Sequence, residues 1–327
     1  MNEKHRSYLI DWSTYPLDRT RHFILRQFRK QLAPLMANRA LRVCLAASFA
    51  LPVIFAISYT FPLWQLLLGP ILLGIPHLIS DLRYLVIQQD IHKKLWFWLG
   101  LVPFFSLYVV FLEPFYAMIA VCLGAFFGEH PKRLLMIGLA LAGLALSIKE
   151  PFWFVIVVLH GHNLIALWIW WHWRKRALWE CIPLILCCLL LSILCFIPPG
   201  QEAFLWAPPQ LDHDYFTISL VPEILYPYAD SIILSYAFLQ SVHYLVWLRL
   251  IPEDARPQPS PRTFNKSIRY LKRDFGGLLF YGFLIGMFIL AFYACSDPKQ
   301  ARLNYLVVIS FHAFLELAFM CYNRKKP

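Results

Sequence analysis

GPILLGIPHLISDLRY, residues 69–84, decides how this chain is read. The stretch lies in an apolar run long enough to cross a bilayer. Yet it holds two prolines, Pro70 and Pro76, and well inside it a histidine and an aspartate, His77 and Asp81. Proline inside a helix removes a backbone donor and collides with the carbonyl four residues earlier. In hydrocarbon that carbonyl must find a partner within the protein. A titratable side chain at mid-bilayer is costly and marks a functional position by default. The segment is therefore either a poor membrane helix or one wall of a site, and the rest of the chain has to decide between the two.

The 327 residues are 59% hydrophobic and 15% charged, with mean hydropathy +0.56, whereas a soluble domain is about 45–50% apolar and roughly 25% charged. The expected fold is all-α, a polytopic membrane helical bundle. About 20 apolar residues make a span, and ten segments qualify: 41–61, 64–85, 95–112, 114–128, 133–148, 151–171, 177–197, 231–251, 275–295 and 302–322. With the N-terminus cytoplasmic, 27 of the 30 Lys and Arg fall on the cytoplasmic side, Arg324 to Lys326 among them, and the outer loop 198–230 has none. That asymmetry is the positive-inside pattern. It predicts both chain ends in the cytoplasm and a place in the plasma or inner membrane. It also assigns the net charge of +11 to anionic lipid headgroups, so no nucleic-acid partner is needed.

Two regions organise the chain. Residues 1–40 are basic, with Phe23, Ile24, Phe28, Leu32 and Leu35 at helical spacing, the pattern of a helix lying in the interface. Residues 41–327 form the transmembrane bundle, with the outer loop at 198–230, long enough to cap or re-enter, and a Pro-rich, then basic, inner linker at 252–274. The eight cysteines form no CxxC pair and read as small buried hydrophobes with reduced thiols. Trp247, Arg83 and Arg249 near the inner span ends read as interfacial anchors.

Five of the eleven histidines sit well inside spans: His77, His160, His162, His243 and His312. They occupy the second, sixth, eighth and tenth spans, which run in the same direction. His77, His162, His243 and His312 lie 10 to 13 residues from the outer span ends, so at about 1.5 Å per residue their imidazoles share one level. Asp81 follows His77 and Glu316 follows His312 by four residues, on the same helical face. Such carboxylates orient metal-bound histidines or ligate directly. Asn163 is a neutral candidate for the same task. His160 and His162 are about 200° apart on a helix, so one of the two belongs to the cluster. Imidazoles with carboxylates and no thiolate suit iron, zinc or copper.

Gly74-Ile75-Pro76-His77-Leu78-Ile79-Ser80-Asp81 fits G-x-P-H-x-x-x-D. This resembles the opening motif of the Brp/Blh family of membrane β-carotene-cleaving dioxygenases, and His312 with Glu316 resembles that family's closing His-and-acid motif. The second and third motifs depart from the family's pattern: LHGHN at 159–163 has no acid after the histidine, and Trp247 stands where a histidine four residues after His243 would be. The resemblance implies a multi-helix membrane enzyme that holds non-haem iron with histidines and splits carotene into two retinals. The expected function is an oxygenase acting on a lipid-soluble polyene such as a carotenoid, with membrane lipid and an apolar small molecule as partners. Two other readings stand beside it: a b-type haem electron-transfer protein with two histidines axial, and a transporter or proton relay built on the same His, Asp and Glu.

Overall fold

The computed structural model describes residues 3–128, 132–198, 201–208 and 211–322. His130, Pro209 and Arg324 to Lys326 lie outside them. All regular structure among the described residues is helical. All ten apolar segments are helices, but seven are long and apolar enough to cross a membrane. They are α3 (Arg39–Thr60), α4 (Pro62–Ile87), α8 (Pro151–His172), α9 (Leu178–Phe196), α11 (Glu223–Asp254), α12 (Phe264–Ser296) and α13 (Pro298–Tyr322). The other three, α5 (Phe97–Phe111), α6 (Pro114–Phe127) and α7 (Arg133–Lys149), are shorter. Local chemistry ends two of them early. Leu112 takes a left-handed conformation (φ 57°) after α5, and Gly128 is extended after α6.

The N-terminal region forms α1 (Glu3–Gln27) and α2 (Arg29–Ala37), with Phe23, Ile24 and Phe28 exposed. Helix α1 packs on α12, and the Asp18 carboxylate accepts from the backbone N–H groups of Phe264 and Asn265 at 2.8 and 3.1 Å. Two free donors at the α12 N-terminus are thus satisfied from a remote segment. The inner linker is shorter than its composition suggests, because residues 264–274 already belong to α12. That helix is broken at Gly276 (φ 75°, ψ 166°), a conformation favouring glycine. In the outer loop, α10 (His213–Leu220) buries Phe216 and Leu220 against the bundle.

Burial is highest on three of the four histidine-bearing helices. More than half of the apolar stretch of α4, α11 and α13 is buried (56%, 67% and 56%), against 28% in α8 and 6% in α12. Helix α11 runs through two apolar clusters. Residues from Ile233 to Val242 belong to one and Val246, Trp247 and Leu250 to the other, with His243 at the seam. On α4 the same seam falls between Ile71 and Tyr84, around His77. The two interior prolines of α4, Pro70 and Pro76, are taken up without breaking the helix. Residues Gly69–Leu73 widen to a π-turn, and α-helical geometry resumes at Gly74. Gly74 is required by packing, since a Cβ there would lie 2.1 Å from the Tyr305 hydroxyl.

Candidate metal centre

Helices α4, α8, α11 and α13 bring His77, His162, His243 and His312 together. His77 lies 5.2 Å from His243 and 4.9 Å from His312, ring centroid to centroid. His162 lies 5.1 Å from His243 and 5.3 Å from His312, and His243 and His312 are 5.7 Å apart. All four are buried, as are Asp81 and Glu316. One ligand atom each from His77, Asp81, His243 and His312 can be chosen so that all lie within 4.8 Å of one another. His162 is outside that set of four and flanks it through its ring contacts. His160 is turned away: its Nε2 lies 3.0 Å from the Leu220 carbonyl and its ring packs on Tyr236 at 5.0 Å. Of the two histidines left open by the sequence, His162 faces the cluster.

Backbone contacts orient two of the imidazoles. His312 Nδ1 lies 2.7 Å from the Ile309 carbonyl, and His162 Nδ1 lies 3.2 Å from the Val158 carbonyl. With Nδ1 donating to a carbonyl, Nε2 keeps its lone pair, which is how metal-binding histidines are commonly set. Eight further atoms have no hydrogen-bond partner among the described residues: His312 Nε2, both nitrogens of His77 and His243, both oxygens of Asp81, and Glu316 Oε2. An unsatisfied buried polar group costs about 1–3 kcal/mol, and hydrocarbon supplies no water to relieve it. One atom each from His77, Asp81, His243 and His312 could meet a bound cation, which would take up four of these eight atoms.

The spacing agrees. With metal–nitrogen bonds of about 2.0–2.1 Å, each ring centroid lies about 3.2 Å from the ion, and near-tetrahedral ligands then have centroids roughly 5 Å apart. The observed spacings run from 4.9 to 5.7 Å. Three imidazoles and one carboxylate, flanked by His162, make a donor set that could hold a metal ion.

Two further side chains matter that the sequence reading did not assign to the site. Trp247, expected as an interfacial anchor, is fully buried. Its indole Nε1 donates to Glu316 Oε1 at 2.7 Å. That oxygen stands 3.7 Å from His243 Nε2, beyond hydrogen-bond length. Tyr244 packs on His77 at 4.9 Å. The one sequence signal for Trp247 is its place four residues after His243, on the same helical face. Asn163 is completely buried with both amide atoms unpartnered, beside the histidine cavity.

That cavity, about 270 Å³, is lined by the four histidines and mostly apolar residues of α5, α8, α11 and α13. Leu112, Val155 and Val307 line it and also lie on the exposed apolar exterior. The cavity therefore reaches the exposed apolar exterior of the helices. Comparison with protein families, with curated proteins and with solved structures finds no match.

Proposed function

We propose that this chain is an integral-membrane, metal-dependent oxygenase, with non-haem iron bound by histidines, acting on a lipid-soluble polyene such as a carotenoid. One observation carries the reading: ligand atoms of His77, Asp81, His243 and His312 lie within 4.8 Å of one another, and the three histidines line an apolar cavity that reaches the exposed exterior. The G-x-P-H-x-x-x-D resemblance supports the same chemistry. His77, His243, His312 and Asp81 would hold the ion, with His162 as a fourth imidazole. Iron bound there supplies dioxygen activation. Trp247 holds the Glu316 carboxylate beside His243. The cavity walls bind the apolar chain and keep water from the site.

The ring spacing favours a bare ion over haem. Two axial imidazoles on a haem have centroids roughly 6.4 Å apart, with a macrocycle between them. Here four rings fill that space. The charge asymmetry supports a plasma- or inner-membrane location with both chain ends cytoplasmic and the three shorter helices completing ten spans.

The test is metal and haem analysis of the purified protein, followed by co-expression with β-carotene. The expected result is about one iron per chain, no Soret band, and retinal formed from carotene. A strong Soret band would favour the haem reading, and absence of stoichiometric metal the proton-relay reading. Intact carotene beside fully iron-loaded protein would sink the substrate but leave the centre standing.

A further inference from the structure

A groove of about 700 Å³ lies along the junction of α1 and α2 and shares no residue with the histidine cavity. Its lining is of two kinds. His22, Arg26 and Arg29 form one half, and Leu32, Ala33, Met36 and Ala37 the other. Spacings of three and four residues keep these side chains on one helical face, so the cations themselves line the groove.

Those cations have no carboxylate to meet. The sequence holds no acidic residue between Asp18 and Asp81. The carboxylates at this end of the bundle are already taken. Asp18 accepts from the Phe264 and Asn265 backbone. Glu253 and Asp254 pair with Arg42, Arg174 and Arg176, and Asp274 with Arg83. Helix electrostatics do not account for the groove cations either. Arg26 lies in the last turn of α1, where a cation offsets the helix dipole. Arg29, however, opens α2, where the dipole disfavours one.

The groove is fixed at both ends. The Asp18 bonds and a hydrogen bond from Arg21 Nη2 to the Pro261 carbonyl (3.2 Å) hold α1 beside the start of α12. Beyond α2, Arg39 Nη1 donates to the Asp254 carbonyl at 3.2 Å. The apolar half leads directly into α3, which is long and apolar enough to cross a membrane. Phe23, Ile24 and Phe28 on the same segment are exposed, as suits a helix lying in the interface. Free cations beside an apolar strip at the start of a span match a lipid headgroup beside its tails. A water-soluble anion would leave Leu32, Ala33 and Met36 uncovered.

We propose that this groove binds one anionic phospholipid, with its phosphate at His22, Arg26 and Arg29 and a tail over Leu32, Ala33 and Met36. The site is independent of the metal centre and stands whether or not iron is bound.

The experiment is native mass spectrometry of the full chain in nonionic detergent, with phosphatidylglycerol or phosphatidylcholine added. The expected result is one retained phosphatidylglycerol per chain, with phosphatidylcholine retained at least about tenfold less. Each basic residue near an anionic lipid contributes about fivefold. Arg26→Gln with Arg29→Gln should therefore weaken phosphatidylglycerol retention about 25-fold and abolish the preference. Ala33→Trp, which fills the apolar half, should displace both lipids. Lys30→Gln, exposed and outside the groove, should change neither. All four positions are exposed, so the bundle stays folded in each variant. Equal retention of the two lipids by the unaltered chain, or retention unchanged in the double variant, overturns the proposal. So does a loss in Lys30→Gln as large as in the double variant, which would make the attraction a diffuse surface charge and not a site.

Discussion

Two buried polar clusters lie at different depths in this molecule, and they are satisfied to opposite degrees. At the ends of α3, α8, α9 and α11, three carboxylates are saturated with cations. Glu253 receives Arg42, Arg249 and Arg256 at 2.6, 2.7 and 2.9 Å. Asp254 receives Arg174 and Arg176 at 2.8 Å each and the Trp170 indole at 3.0 Å. Glu180 takes Arg174 and the Ala177 N–H. One level deeper, among the described residues, Asp81 has no hydrogen-bond donor and Glu316 has only Trp247. A carboxylate met by several guanidinium groups needs nothing more, and the first cluster is a clamp holding four helix ends together. Carboxylates and imidazoles left facing one another without partners are costly, and a bound cation would relieve that cost. The same residue types thus serve two purposes, distinguished by what meets them.

The largest expected effect breaks the deeper cluster. His77→Ala and His312→Ala should each reduce bound metal from about one ion per chain to near none, measured by plasma mass spectrometry on purified protein. Metal retained in both variants would place the ion elsewhere. The complementary change is Asp254→Asn in the clamp. It removes the charge that Arg174 and Arg176 share, at a side chain with no solvent exposure. Breaking a buried ionic group of this kind costs about 3–5 kcal/mol. Equilibrium unfolding in mixed micelles should show that loss while metal content stays unchanged. If Asp254→Asn loses metal and His77→Ala loses stability, the division between clamp and centre is wrong.

Much of the deeper cluster is legible in the sequence, because helical periodicity and depth are local properties. His77 with Asp81 and His312 with Glu316 need only the four-residue spacing, and the common level of four imidazoles needs only span ends. What escapes depends on partners distant in the chain. Trp247 looks like an interfacial aromatic until α13 brings Glu316 to its indole. Arg83 looks like an anchor, but it pairs with Asp274, a residue within the segment read as linker. The choice of His162 over His160 turns on how α8 rotates against α11 and α13, which hydropathy does not encode. Ten apolar segments are plain from composition. Three form helices too short to count as spans by length, and at Leu112 the helix ends through a backbone conformation that apolar residues seldom adopt.

A smaller effect sharpens the comparison at the point where the two kinds of satisfaction meet. Trp247→Phe keeps an aromatic ring in the core but withdraws the sole hydrogen-bond donor the structure gives Glu316. Groups that orient metal ligands from behind typically set affinity by about 10–100-fold. Competition with a chelator should therefore show iron leaving Trp247→Phe that much more readily, with the iron still bound at saturation. An affinity equal to that of the unaltered chain would mean that Glu316 needs no orienting donor and ligates by itself.

The smallest effect separates two neighbours on one helix. His160 and His162 are both inside α8, but His160 spends its Nε2 on the Leu220 carbonyl and its ring on Tyr236. His162 is held through Nδ1 and faces His243 and His312. His160→Phe keeps the ring contact and loses one hydrogen bond, a change of about 1 kcal/mol in stability, with metal content untouched. His162→Phe removes an imidazole from the cluster and should lower metal affinity while leaving the α8–α10 contact at Leu220 intact. The pair differs by two positions in the sequence and by about 200° around the helix, so rotation of α8 by half a turn would exchange their roles. If His160→Phe loses metal and His162→Phe does not, α8 faces the bundle the other way, and the site is completed by Tyr236's neighbour rather than by His162.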